Sequence, residues 1–99
     1  MNDRIRSFLD ATGNNVAFDG SNDRLAYSFG DLVSVNNYIM PFWRSRGRSV
    51  NVGPPYIGYV VRETAKYVRY LKRDDLENNN QRAILHQAGK QNVIQIHFN

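Results

Sequence analysis

The run Tyr56-Ile57-Gly58-Tyr59-Val60-Val61-Arg62-Glu63-Thr64-Ala65-Lys66-Tyr67-Val68-Arg69-Tyr70-Leu71-Lys72-Arg73 decides the fold, because it carries the clearest periodic pattern in the chain. Ile57, Val60, Val61, Thr64, Ala65, Val68 and Leu71 recur at three- and four-residue steps, which predicts one long amphipathic helix with Pro54 or Pro55 in its first turn. On such a helix Arg62, Lys66, Arg69 and Arg73 form one ridge opposite the apolar stripe, with Tyr59 and Tyr70 beside it. The competing signal is the density of β-formers from Tyr56 to Val61, which admits a strand running to about Arg62.

Working back from this run, Gly53-Pro54-Pro55 forces a break, and Val50-Asn51-Val52 is a brief strand candidate. Ahead of it lies the basic loop Phe42-Trp43-Arg44-Ser45-Arg46-Gly47-Arg48-Ser49. The segment from Leu32 to Met40, capped by Asp31 and stopped by Pro41, is assigned to a helix against a strand alternative. Val16-Ala17-Phe18 and Arg24 to Phe29, joined by the turn-rich Asp19-Gly20-Ser21-Asn22-Asp23, predict a β-hairpin. The chain starts with a short helix capped by Asn2 or Asp3, buries Ile5, Phe8 and Leu9, and stops at Thr12-Gly13.

Working forward, Asp74-Asp75 terminates the long helix, and Asn78-Asn79-Asn80 suits a solvated connection. A last helix is expected from Gln81 to Ala88, ending at Gly89. Asn92 to Phe98 alternates as a strand should, with Ile94, Ile96 and Phe98 on one face and Val93, Gln95 and His97 on the other. The expected fold class is α+β: a small antiparallel sheet, made of the N-terminal hairpin plus the C-terminal strand, packed against one long and two or three short helices.

Ninety-nine residues with 41% hydrophobic content suit a single domain over 1–99 with one core. No cysteine is present, which excludes disulfides, thiolate metal sites and thiol nucleophiles, and suits a reducing setting. No run of about 18 apolar residues exists, and an acid sits where a signal peptide places bases, so an intracellular, cytoplasmic, non-secreted and non-spanning chain is expected.

Charge is concentrated rather than spread. Residues 41–73 hold the bases Arg44, Arg46, Arg48, Arg62, Lys66, Arg69, Lys72 and Arg73 against the single acid Glu63, while the flanking segments are slightly acidic. That asymmetry points to an anionic partner. Guanidinium groups offer paired planar donors to phosphate, and Trp43 or a tyrosine can stack on a base. The candidate nucleic-acid-binding set is therefore Trp43, Arg44, Arg46, Arg48, Arg62, Lys66, Arg69 and Arg73.

His86 and His97 would suit acid–base cleavage of a phosphodiester, but their spacing specifies neither a catalytic site nor a metal site. Phosphate-cradling glycine loops and nucleophile elbows are missing, so no enzyme activity, cofactor or metal is expected. The leading expectation is a small basic module that binds nucleic acid without catalysis, DNA included. The alternative is a protein–protein interaction or assembly protein, such as a viral virion component, an adaptor or an inhibitor, which turns the same basic and aromatic side chains toward an acidic partner. Homodimerisation would bury the abundant tyrosines.

Overall fold

The computed structural model describes residues 2–14, 26–36, 38–39, 50–51 and 53–96. The first helix, α1 (Asn2–Ala11), buries Ile5, Phe8 and Leu9, and Gly13 closes it in the left-handed region at φ +74°, as its sequence predicts. Strands β1 (Leu32–Val35), β2 (Tyr38–Ile39), β3 (Val50–Asn51), β4 (Tyr56–Glu63) and β5 (Tyr67–Lys72) follow. After them come a short helix α2 (Arg73–Glu77), β6 (His86–Gly89), a single 3-10 turn (Lys90–Asn92) and β7 (Val93–Gln95). The fold is α+β, with an antiparallel sheet in the order β6-β5-β4-β1-β7 and a separate β2-β3 pair.

The long helix predicted over residues 56–73 is instead the β4–β5 hairpin, and this reverses the main sequence-based assignment. The periodicity misleads because both faces of these strands are buried. Tyr59, Val61 and Leu71 face α1, while Val60, Val68 and Tyr70 face the opposite cluster, so apolar residues fall on neighbouring positions as well as alternate ones. The hairpin turns at Thr64 to Tyr67, where the Thr64 amide donates to the Tyr67 carbonyl at 2.9 Å. The helix expected over Leu32–Met40 is replaced by β1, whose β-branched Val33 and Val35 are buried on one face. The helix expected over Gln81–Ala88 is replaced by a turn followed by β6.

The predicted N-terminal hairpin lies largely in residues 15–25, outside the described residues, and Ala26 to Ser28 carry no strand. The C-terminal strand is present as β7, but its partner is β1. Its buried face is the reverse of the apolar one, with Val93 buried and Ile94 63% exposed. The asparagine run forms the turn after α2. Asn79 adopts φ +51°, and the Asn80 side chain donates to Asp75 at 3.0 Å while accepting from the Arg82 amide.

The sheet cannot be flat. Val93 is registered through Val35 to Tyr56 at the start of β4, whereas Gly89 is registered to Tyr67 beside the far end of β4. In a flat sheet these two residues would lie roughly 19 Å apart across the strands and more than about 20 Å apart along them. The chain from Gly89 to Val93 reaches at most about 14 Å. The sheet therefore coils until its two edges approach each other, and Val33, Val35, Val60, Val68, Tyr70 and Val93 form the inside of that coil. Its outer face carries Tyr59, Val61 and Leu71 under α1, with Leu76 of α2 and Ala83 completing the second cluster.

Two features of β4 permit the coiling. A register shift between Val60 and Arg62 marks a β-bulge, which raises local twist. Gly58 lies under the Tyr70 ring, and a Cβ there would stand 2.6 Å from Tyr70 Cδ2 and 2.7 Å from the Leu71 carbonyl oxygen. The backbone oxygen cannot withdraw without breaking the β4–β5 pairing. Gly58→Ala is accordingly expected to destabilise the protein by about 1–3 kcal/mol, read as an earlier midpoint in urea with an unchanged slope.

Candidate functional site

The bulge decides where the charges of β4 point. Without it, alternation from Val60 would set Arg62 on the inner face and Glu63 on the outer one. With the extra residue, Arg62 stands opposite Arg69 and Glu63 opposite Val68, so Arg62 turns outward and Glu63 turns in.

Glu63 is 5% exposed and is held from three sides. It accepts hydrogen bonds from the Ala26 amide at 3.1 Å and the Tyr27 amide at 2.8 Å, and pairs with Lys90 Nζ at 2.5 Å. Burial alone would push its carboxyl upward. The Lys90 ammonium and the two amides outweigh that effect and hold it below the ordinary carboxylate value. Glu63 is thus a structural anchor, and its charge is spent inside the fold.

On the outer face, Arg62 of β4, Arg69 of β5 and Gln87 of β6 form one row across three strands. Lys66 is exposed in the adjoining turn, and Tyr67, on the same face as Arg69, is 45% exposed. No acid pairs with Arg62, Lys66 or Arg69 among the described residues. Two arginines directly opposite each other repel, so this arrangement works against stability and favours an anion placed over the pair.

Of the other sequence candidates, Arg73 is set apart. It begins α2, at the opposite end of β5 from Lys66, roughly 20 Å away along the strand. Its Nε lies 3.8 Å from Glu77 Oε1 and lacks a hydrogen-bond partner. The continuous helical ridge of Arg62, Lys66, Arg69 and Arg73 therefore does not exist, and the first three gather at one end of the hairpin. Lys72 turns to the inner side, its Nζ 3.9 Å from the centre of the Tyr56 ring. Trp43, Arg44, Arg46 and Arg48 lie outside the described residues, as does His97.

His86 sits on the inner face with its ring 5.7 Å from that of Tyr70. Burial, with the charge of Lys72, pushes its pKa below the ordinary 6.5, and Asp75 opposes them. Among the described residues no three His, Asp or Glu side chains are grouped to hold a metal ion. No helix among them is long and apolar enough to cross a membrane. Comparison with protein-family models, with curated proteins and with solved structures finds no match for this chain.

The two lowered groups, His86 and Glu63, make the fold sensitive to acid. A lowered folded-state pKa means that the unfolded chain takes up the proton first, so stability should fall as pH drops below 6.5 through the His86 transition and fall again below 4.5 through that of Glu63. Thermal melts across this range should show two declines. Glu63→Ala should remove the lower one, and should cost about 3 kcal/mol at neutral pH by leaving Lys90 and two amides unpaired.

Proposed function

We propose that this chain is a small nucleic-acid-binding module without a catalytic role, and that Arg62, Lys66 and Arg69 contact phosphates at the turn end of the β4–β5 hairpin. The observation that carries this reading is the direct opposition of Arg62 and Arg69 on an outer sheet face, with Lys66 exposed in the adjoining turn and no described acid paired with any of the three. A like-charged pair is retained at a cost to the fold, and an anionic ligand offsets that cost. Tyr67 offers a ring for stacking next to Arg69. The basic stretch with Trp43, Arg44, Arg46 and Arg48 enters the proposal on sequence alone, as additional phosphate contacts.

The test is fluorescence anisotropy with a labelled single-stranded oligonucleotide over a salt series. Three phosphate contacts predict a slope of log affinity on log salt near −2 from this patch. Replacing Arg62, Lys66 and Arg69 together by alanine should weaken binding at least about tenfold and flatten the slope by that amount. Unchanged binding would remove the patch from the interface. Arg69→Thr alone should weaken binding while raising stability by a few tenths of a kcal/mol, because it relieves the cross-strand repulsion and places a β-former in the strand.

A further inference from the structure

A cleft of about 280 Å³ lies where β6, the Lys90–Asn92 turn, the end of β1 and the start of β4 come together, and its lining is mainly polar. It gathers Tyr56 and Tyr70 with the carboxamide residues Gln87 and Asn92. Among the described residues, no side chain that is charged at neutral pH lines it. Both tyrosine rings are held in place. Tyr70 packs on Gly58 and lies 5.7 Å from the His86 ring, and Lys72 Nζ stands 3.9 Å from the centre of the Tyr56 ring.

The hydroxyl of Tyr70 is the unusual group. Tyr70 is only 4% exposed, and its hydroxyl makes no hydrogen bond among the described residues. That oxygen is not sealed off from solvent, and the cleft is the space that its side chain borders. Buried polar groups in folded proteins are nearly always hydrogen-bonded, so this hydroxyl is left for whatever fills the cleft. Burial, and after it the neighbouring Tyr56, push its pKa above the ordinary 10. It therefore stays protonated, able to donate one hydrogen bond and to accept others.

Ligand pockets begin at roughly 300 Å³, so this cleft has room for one small ring system and not for a length of chain. A neutral lining of aromatic rings with mixed donors and acceptors suits a nucleobase, which is planar, uncharged and carries both kinds of group on its edge. Gln87 joins the cleft to the cationic row, because it lines the one and stands opposite Arg69 in the other. We propose that the cleft takes one unstacked base of a single-stranded nucleic acid whose phosphates lie over Arg69 and Arg62, with the Tyr70 hydroxyl hydrogen-bonded to the edge of that base. This inference rests on the nucleic-acid reading and narrows it to single strands, since a paired base must leave its stack and its partner before it can enter a pocket.

Tyr70→Phe is a selective probe, because it removes one oxygen and keeps the ring that packs on Gly58. The lost hydroxyl has no partner among the described residues, so the variant should melt with the unaltered protein. The experiment measures fluorescence anisotropy at low salt with two labelled strands of equal length. One is a mixed-sequence single strand, and the other is built of abasic sites and keeps only the sugars and phosphates. The base-bearing strand should bind the unaltered protein at least about tenfold more tightly. Tyr70→Phe should weaken its binding by about threefold to tenfold and leave the abasic strand unaffected. Equal binding of the two strands by the unaltered protein overturns the base site while the nucleic-acid reading stands. Full binding of the base-bearing strand by Tyr70→Phe, or an equal loss for both strands, does the same. Absence of binding to either strand removes the nucleic-acid reading and the base site with it.

Discussion

The fold turns on one buried carboxylate. Glu63 stands at the end of β4 and receives the Ala26 and Tyr27 amides from one part of the chain and the Lys90 ammonium from another. Those segments lie 36 and 27 positions away in sequence. A charge taken out of water is tolerated only when its partners arrive in good geometry, so Glu63 demands that the segment before β1 and the link between β6 and β7 meet at one point. That meeting point lies at the same end of the coiled sheet as the β4–β5 turn. A hydrophobic cluster tolerates small shifts of register. This set of charge-assisted bonds does not, and it specifies the arrangement more sharply than apolar burial can.

The bulge in β4 ties that anchor to the basic patch. A single extra residue at Val61 sends Glu63 inward and Arg62 outward in the same stroke. Burial of the acid and the outward placement of Arg62 opposite Arg69 are two sides of one backbone irregularity. The acid that would otherwise sit beside Arg69 has been withdrawn to the opposite face, and this is why the hairpin end presents net positive charge although Glu63 is adjacent to Arg62 in sequence. Arg73 shows the contrast: with Glu77 one helical turn away, it has an opposite charge close by.

Some of this was legible in the sequence. The first helix is fixed by three apolar residues at helical spacing and by the Thr12-Gly13 stop, all local signals, and it stands as predicted. The concentration of charge in residues 41–73 was plain from composition, and three of its members do cluster. The β4–β5 hairpin was not legible because its turn, Ala65-Lys66, has no glycine, proline or asparagine, and because a strand buried on both faces loses its two-residue alternation. The β-formers of Tyr56 to Val61 were the better guide, and the helical spacing of Ile57, Val60, Val61, Thr64, Ala65, Val68 and Leu71 arose from two facing layers plus a bulge. A bulge leaves no mark in a single sequence, so the outward turn of Arg62 and the anchoring of Glu63 needed coordinates.

The placement of β6 and β7 on opposite edges of one sheet, joined by only the Lys90–Asn92 turn, also governs how the chain can assemble. The strand β1 acquires its two neighbours from segments beginning 24 and 61 positions later, so little of its ladder can form locally. The β4–β5–β6 meander is sequence-local and can form early, leaving β1 to dock and β7 to close the coil. Until that closure the inner valines face solvent together. Folding of this small protein should be slow for its size, with its most aggregation-prone species appearing just before the last edge is sealed.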